Sequence, residues 1–285
     1  ELYFGNNDFD LWMMRRETME EDWGPPVKLG PQINTLADEI NANVSSDGLE
    51  LYFSGYRGEG VSVRPGGYGQ SDLWVSTRAT RTDPWGEPVN LGPTVNSPYY
   101  DTRPALSADG LVLLFDSLRP GGYGQGDLYI TRRASRSEPW GEPVNLGPLI
   151  NSPAFEEAVC LSSDGSTLYW DCERPGGYGS HDIWQASIRP ILDFNGDGQV
   201  DATDMALLVY NWDRSESLCD IGPFAWGDGV VDEKDLSALM EQLMRPGPQT
   251  SDVPCDTFLN WVGPGFADSY DVYLGTSFDD VSNAT

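Results

Sequence analysis

Three copies of Arg-Pro-Gly-Gly-Tyr-Gly, at Arg64–Gly69, Arg119–Gly124 and Arg174–Gly179, constrain this chain more than any other feature. Each copy leads into an Asp-aliphatic-aromatic triplet: Asp72-Leu73-Trp74, Asp127-Leu128-Tyr129 and Asp182-Ile183-Trp184. Self-similarity at a period of tens of residues marks an array of one supersecondary unit. Two further signals recur in register with it. A Ser-x-Asp-Gly turn (Asp47-Gly48, Asp109-Gly110, Asp164-Gly165) precedes an aromatic strand, and a Trp-Gly-x-Pro-Val-x-Leu-Gly segment (Trp23, Trp85, Trp140) is followed by Asn34, Asn96 or Asn151.

Trp85 to Trp140 is a step of 55 residues, and Trp23 to Trp85 a step of 62, the excess lying near Gly58–Arg64. Asp-Gly between alternating apolar runs is a hairpin signal, because the turn needs positive φ. Short strands in sets of about four per 50 residues, with a periodic Gly and aromatic motif, predict β-propeller blades. The Ser-x-Asp-Gly, Leu-Tyr-Phe (Leu51–Phe53) and Asp-Leu-Trp pattern resembles the TolB-like propeller repeat over about residues 1–188. A degenerate earlier copy stands at Leu2–Trp12. Three and a fraction blades are fewer than the four to eight that close a ring, so an incomplete ring in a fragment of a longer protein is expected.

Two roles compete for the recurring residues. Tyr68, Tyr123 and Tyr178 with Arg64, Arg119 and Arg174 would offer stacking and hydrogen bonds to a sugar or peptide. Alternatively Gly supplies φ > 0, the aromatics fill the space between blades, and each Asp ties its loop to backbone amides. A residue present in every blade is more simply explained by what every blade needs. Blade-specific residues (the Gly58–Val63 insertion, Tyr99-Tyr100 and His181) are then the better ligand candidates. The lone His181 leaves no room for a multi-histidine metal centre, and no catalytic residue is assigned.

Net charge is −28, and Lys occurs only at positions 28 and 234. Nucleic acid is not an expected partner and anionic membrane surfaces are disfavoured, because both need clustered cations; calcium suits so acidic a chain. No stretch approaches the roughly 20 apolar residues of a membrane span. Residues 190–285 hold 18 acidic against three basic side chains, which marks a domain change near Pro190. The four cysteines lack CxxC spacing. Cys160 and Cys172 flank one predicted hairpin and leave a disulfide open, although register around Asp164-Gly165 sets Cys160 opposite Tyr169.

Residues 193–204 place oxygen side chains at positions 1, 3, 5, 9 and 12 of a loop: Asp193, Asn195, Asp197, Asp201 and Asp204. Gly198 falls at the sharp turn, and Gln199 would give its backbone carbonyl. This is EF-hand ligand spacing, with Asp instead of Glu at position 12. Met205, Leu208, Val209 and Trp212 follow at helical spacing. A second unit carries Asp228, Asp232 and Asp235, then Leu236, Leu239, Met240 and Leu243. Counting back from Asp235 puts Phe224 and Trp226 at positions 1 and 3, where neither coordinates; Asp220 substitutes if the loop is four residues longer. One strong calcium site and one weak or altered site are expected.

Two such loop–helix units over about residues 191–246 resemble a type I dockerin. The resemblance implies a cohesin-type partner, with Ala202-Thr203 and Glu233-Lys234 helping to read it. Because those pairs differ, either-way-round binding is not expected. Residues 247–254 read as a linker. Phe258–Val262 and Ser269–Leu274 read as strands, and this segment, 255–285, resembles the start of a fibronectin type III-like sandwich.

The expected protein is multidomain and mainly β: propeller blades over 1–189, a small helical EF-hand-like dockerin domain, and a truncated β-sandwich segment. The resemblances imply a secreted bacterial binding and assembly protein, extracellular or on the cell surface, in a polysaccharide-degradation setting. The propeller would bind a carbohydrate or protein. The alternative is a propeller glycosidase or polysaccharide lyase whose catalytic residues lie partly in blades outside this sequence.

Overall fold

The computed structural model describes residues 1–56, 64–190, 192–195, 199–214, 219–222, 227–244 and 270–275. The Gly58–Val63 insertion, Asp197, Gly198, Phe224, Trp226, the linker and the Phe258–Val262 strand therefore lie outside the described residues. The chain forms two compact units, Glu1–Leu146 with Asn151–Cys160, and Gly147–Ile150 with Leu161–Thr285. The first is built from small antiparallel sheets, and the second, among the described residues, from strands of one such sheet and two helices. No helix among the described residues is long and apolar enough to cross a membrane.

In the first unit, β1 (Leu2–Gly5), β2 (Leu11–Met14) and β3 (Val27–Lys28) form one meander. A second contains β4 (Asp38–Val44), β5 (Glu50–Tyr56), β6 (Ser71–Thr77) and β7 (Val89–Asn90). A third contains β8 (Asp101–Leu106), β9 (Val112–Ser117), β10 (Asp127–Arg132) and β11 (Val144–Asn145). Up-and-down antiparallel meanders of four strands have the build of propeller blades. The strand β12 (Glu156–Leu161) follows. In the second unit, β13 (Thr167–Cys172) pairs with β14 (Asp182–Pro190), which pairs in turn with β15 (Tyr270–Gly275). The strand expected at Ser269–Leu274 is thus present, lying alongside β14.

The Ser-x-Asp-Gly turns explain the hairpins. Gly48, Gly110 and Gly165 adopt φ of +76°, +79° and +71°, a region that costs any residue with a Cβ. Asp47 Oδ1 accepts from the Leu49 amide at 3.0 Å and from the Ser45 hydroxyl at 2.6 Å, and Asp109 and Asp164 repeat the arrangement.

In the first unit the central strands β5 and β9 are buried on both faces rather than alternating: Leu51, Tyr52 and Phe53 are all inaccessible, as are Leu113 and Phe115. Within this unit the second and third sheets pack against each other, Tyr52 and Leu73 of one meeting Leu113 and Phe115 of the other. The repeated Trp performs this packing, with Trp85 edge-on to Tyr3 at 6.1 Å and Trp140 edge-on to Tyr52 at 6.2 Å. Arg78 and Arg133 lie over these indoles at 4.2 and 4.5 Å. Each reaches the carboxylate that opens the preceding sheet's aromatic strand, Glu1 or Glu50, and caps a turn carbonyl, Gly48 or Gly110.

In the second unit, α1 (Ala202–Tyr210) and α2 (Glu233–Met244) enclose a core of Leu208, Cys219, Ile221, Val231 and Leu239. The α2 face predicted from Leu236, Leu239, Met240 and Leu243 is inward. The α1 face is rotated from expectation: Leu208 is buried, whereas Val209 and Trp212 are exposed. Met205 packs on the core as expected, and the rest of the inward side is taken by Asp204 and Leu208, because the Asp204 carboxylate is needed inside. Cys160 is an exposed free thiol, so it forms no disulfide with Cys172, whose buried sulfur accepts from the Arg174 amide and Nε.

Candidate functional site

The recurring loop residues divide by what they touch. Asp72 takes the amides of Tyr68 and Gly69 at 2.7 and 3.0 Å; Asp127 does the same for Tyr123 and Gly124, and Asp182 for Tyr178 and Gly179. Arg64 is buried, donates to the Ile33 and Gln32 carbonyls and pairs with Glu39. Arg119 donates to the Val95 carbonyl and Asp101, and Arg174 to the Ile150 carbonyl. Each guanidinium also covers the aromatics of its own sheet, as Arg64 does Phe53 and Trp74. Asn34, Asn96 and Asn151 clamp the backbones of Leu11, Leu73 and Leu128 from both sides, accepting from N–H and donating to C=O. These residues build blades. The arginines are engaged within the fold, as blade construction rather than sugar binding requires.

The tyrosines behave differently. Tyr68, Tyr123 and Tyr178 are exposed, so the expectation that they fill the space between blades fails. Tyr99 is also exposed, while Tyr100 stacks on Tyr56 at 5.4 Å. His181 lies at the surface, with Nδ1 3.3 Å from Asp171 and Nε2 2.8 Å from Glu173.

A cluster that sequence reasoning missed lies on the first strand of the third sheet. Arg103 has φ of +53°, and the repeat-matched Asn41 and Ala158 share that left-handed backbone at +57° and +53°. The kink belongs to the repeat; only the side chain changes. Arg103 reaches Asp116 at 3.2 Å and Glu157 at 2.8 Å. Asp116 is 1 % exposed and also takes the Thr102 hydroxyl. Burial pushes its pKa up to about 6, against the pull of Arg103 and Thr102 and with a further push from Glu157. Spacing carries no signal for this cluster, because Arg103, Asp116 and Glu157 belong to three strands.

In the first acidic loop, Asp204 is inaccessible to solvent and caps its own loop. One oxygen accepts the Phe194 and Asn195 amides at 2.7 and 3.4 Å; the other accepts the Asp201 amide at 2.8 Å. Asp201 reciprocates as N-cap of α1, accepting from Thr203 N. This capping box explains why the loop runs directly into a helix. Asp193 and Asp201 are half-buried, and Asn195 and Gln199 are exposed. All the described donors are oxygen, which suits a hard cation such as calcium. A carboxylate oxygen that accepts an amide keeps capacity for a metal.

The second loop repeats the cradle. Asp235, also inaccessible, accepts the Ile221 and Gly222 amides at 2.5 and 2.7 Å and the Asp232 amide at 2.6 Å. Ile221 and Gly222 follow Asp220 as Phe194 and Asn195 follow Asp193, so Asp220 occupies the opening position of a longer loop. Asp220 is buried and holds the Asp228 and Gly229 amides at 2.9 and 2.7 Å. Burial pushes its pKa up to about 6; those amides oppose the shift, and the charges of Asp235 and Asp228 add to it. Lys234 Nζ sits against Asp228 and lies 3.5 Å from Asp232. This loop therefore already carries a cation beside two of its carboxylates. Ala202, Thr203, Glu233 and Lys234 are all exposed at the starts of the two helices.

No protein-family model matches the chain, and no curated protein matches it. Among solved structures it is similar to TolB from Acinetobacter baumannii, at 14% identity and a TM-score of 0.39 over 69% of this chain and 39% of that one. A putative TolB from Agrobacterium tumefaciens is 19% identical with a TM-score of 0.40, over 65% of this chain and 58% of that one. An alpha-L-arabinofuranosidase from Lactobacillus brevis is 14% identical with a TM-score of 0.42, over 65% of this chain and 63% of that one. The chain spans less than two thirds of the length of each of these proteins.

Proposed function

We propose that this chain belongs to a secreted binding and assembly protein. Its propeller blades form a recognition platform for a carbohydrate or protein. Its paired loop–helix units form a calcium-dependent, dockerin-like module that docks onto a cohesin-type partner. The observation that carries the reading is the doubled cradle, in which Asp204 and Asp235 each gather three backbone amides at the start of a helix. A cation held by Asp193, Asn195, Asp197, the Gln199 carbonyl, Asp201 and Asp204 would relieve the repulsion among four carboxylates in one loop. Calcium supplies charge neutralisation there, and the chain supplies the shape.

The two helices are unequal outside the core. The outer face of α1 carries Ala202, Thr203, Ala206, Val209 and Tyr210, without a charge, whereas that of α2 carries Glu233, Lys234, Ser237 and Glu241. An uncharged face favours a protein partner at α1, which gives docking in one orientation. Titrating a purified cohesin module into the protein in calcium, and again in EGTA, tests the reading. Binding in calcium that is lost in EGTA supports it; no binding in either buffer removes the docking role.

A second reading, a propeller glycosidase or polysaccharide lyase, draws on Asp116 and Glu157, two carboxylates bridged by one guanidinium. Release of reducing ends or unsaturated products from a polysaccharide panel would favour it.

A further inference from the structure

We infer that Tyr68 and Tyr123, the exposed tyrosines of the repeated loops in the first unit, form a stacking surface for a neutral polysaccharide, an inference that rests on the platform reading of the propeller blades. Tyr68 and Tyr123 are 55% and 51% exposed, although they occupy the same position in consecutive sheets of one unit. Nothing in blade construction uses their rings, whereas every other polar or charged residue of the motif is consumed by it. The backbone beneath each ring is pinned: Tyr68 N and Tyr123 N donate to Asp72 and Asp127 at 2.7 and 2.6 Å. Gly69 and Gly124 press the loops against the turns that open the next strands. A Cβ at either position would meet the Ser97 or Ser152 carbonyl at 2.3 or 2.1 Å. The Gln70 amide donates to the Tyr99 carbonyl at 3.1 Å, which brings exposed Tyr99 to the same junction as Tyr68. In the second unit, Tyr178 is likewise exposed on an Asp182-held loop.

The chemistry selects the occupant. Arg64 and Arg119 are spent on carbonyls and carboxylates within the fold, so this face offers no cation from the motif to an anionic polymer. With a net charge of −28, the chain repels polyanions as a whole. Protein interfaces are centred on a contiguous, well-packed apolar core, but here the exposed rings are carried on Gly-rich loops. A pyranose has the complementary form: an apolar C–H face to lie on a ring, and hydroxyls at its rim for a phenol. Tyrosine supplies such contact at low entropic cost, and pinning the loops lowers that cost further. Equivalent rings on successive sheets suit a polymer of equivalent units.

Affinity electrophoresis of the full chain through gels containing hydroxyethylcellulose, neutral xylan or polygalacturonate tests this directly. The parent is expected to be retarded by a neutral polymer. Tyr68→Ala with Tyr123→Ala should weaken retardation by about tenfold or more at an unchanged melting temperature, since both rings are exposed. Tyr68→Phe with Tyr123→Phe should keep most of it. Equal retardation of the parent and the double alanine variant overturns this inference but leaves a carbohydrate platform standing. Retardation by polygalacturonate alone, or by none of the three polymers, overturns it outright. Calcium titration, which does not involve these residues, reports separately on the docking half of the proposed function.

Discussion

Asp204 and Asp235 hold their loops identically: each is inaccessible to solvent, and each accepts one amide from the cap residue three positions earlier and two from the loop's opening. The two loops differ in length by four residues, yet their ends are gathered in the same way. Removing either carboxylate takes the partner from three amides, part-buried at Asp204 and mostly buried at Asp235. Asp204→Ala or Asp235→Ala should each cost about 2–4 kcal/mol, read as a fall in the denaturation midpoint of the helical unit.

Lys234 sits among the second loop's carboxylates, beside Asp228 and near Asp232. It competes with any metal for those oxygens, and its own charge is favoured by Asp228. Lys234→Ala should therefore strengthen calcium binding at this loop several-fold in isothermal titration, leaving the first loop unaffected.

Arg119 reaches the Val95 carbonyl and Asp101 while covering Phe115 and Tyr129. Arg119→Ala should lower stability by about 2–4 kcal/mol in chemical denaturation and leave polysaccharide retardation unchanged under native conditions. The contrast with Tyr123→Ala separates blade construction from recognition.

Much of this was legible in the sequence because repetition fixes it. The Asp-Gly turns, the Asp-held loops and the order of strands each recur, and local chemistry demands them. What a recurring side chain faces was not legible. An arginine spent on the Val95 carbonyl and one offered to a ligand read alike, as do a tyrosine buried between sheets and one standing in solvent. Of the α1 stripe Met205, Leu208, Val209 and Trp212, the first two meet the core and the last two do not. A buried Asp204 competes for the same side, and the helix ends at Tyr210. The Arg103–Asp116–Glu157 cluster left no trace because its members are brought together only by sheet pairing.

Asp116 gives a pH signature. Its folded pKa, about 6, lies above the ordinary 3.8, so the folded state binds this proton more tightly than the unfolded chain does. Its contribution favours folding below about pH 4 and is lost as pH rises towards 6, by about 2–3 kcal/mol. In Asp116→Asn, the fall in melting temperature between pH 4 and 6 should be smaller than in the parent; Asp220, shifted in the same direction, contributes equally to both proteins.

Calcium titration into EGTA-stripped protein tests the central claim most directly. One tight site is expected in the parent, abolished or weakened about a hundredfold by Asp197→Ala and by Asp193→Ala, and retained in Asp228→Ala. An Asp197→Ala protein that binds calcium as tightly as the parent would contradict the assignment of the metal to this loop.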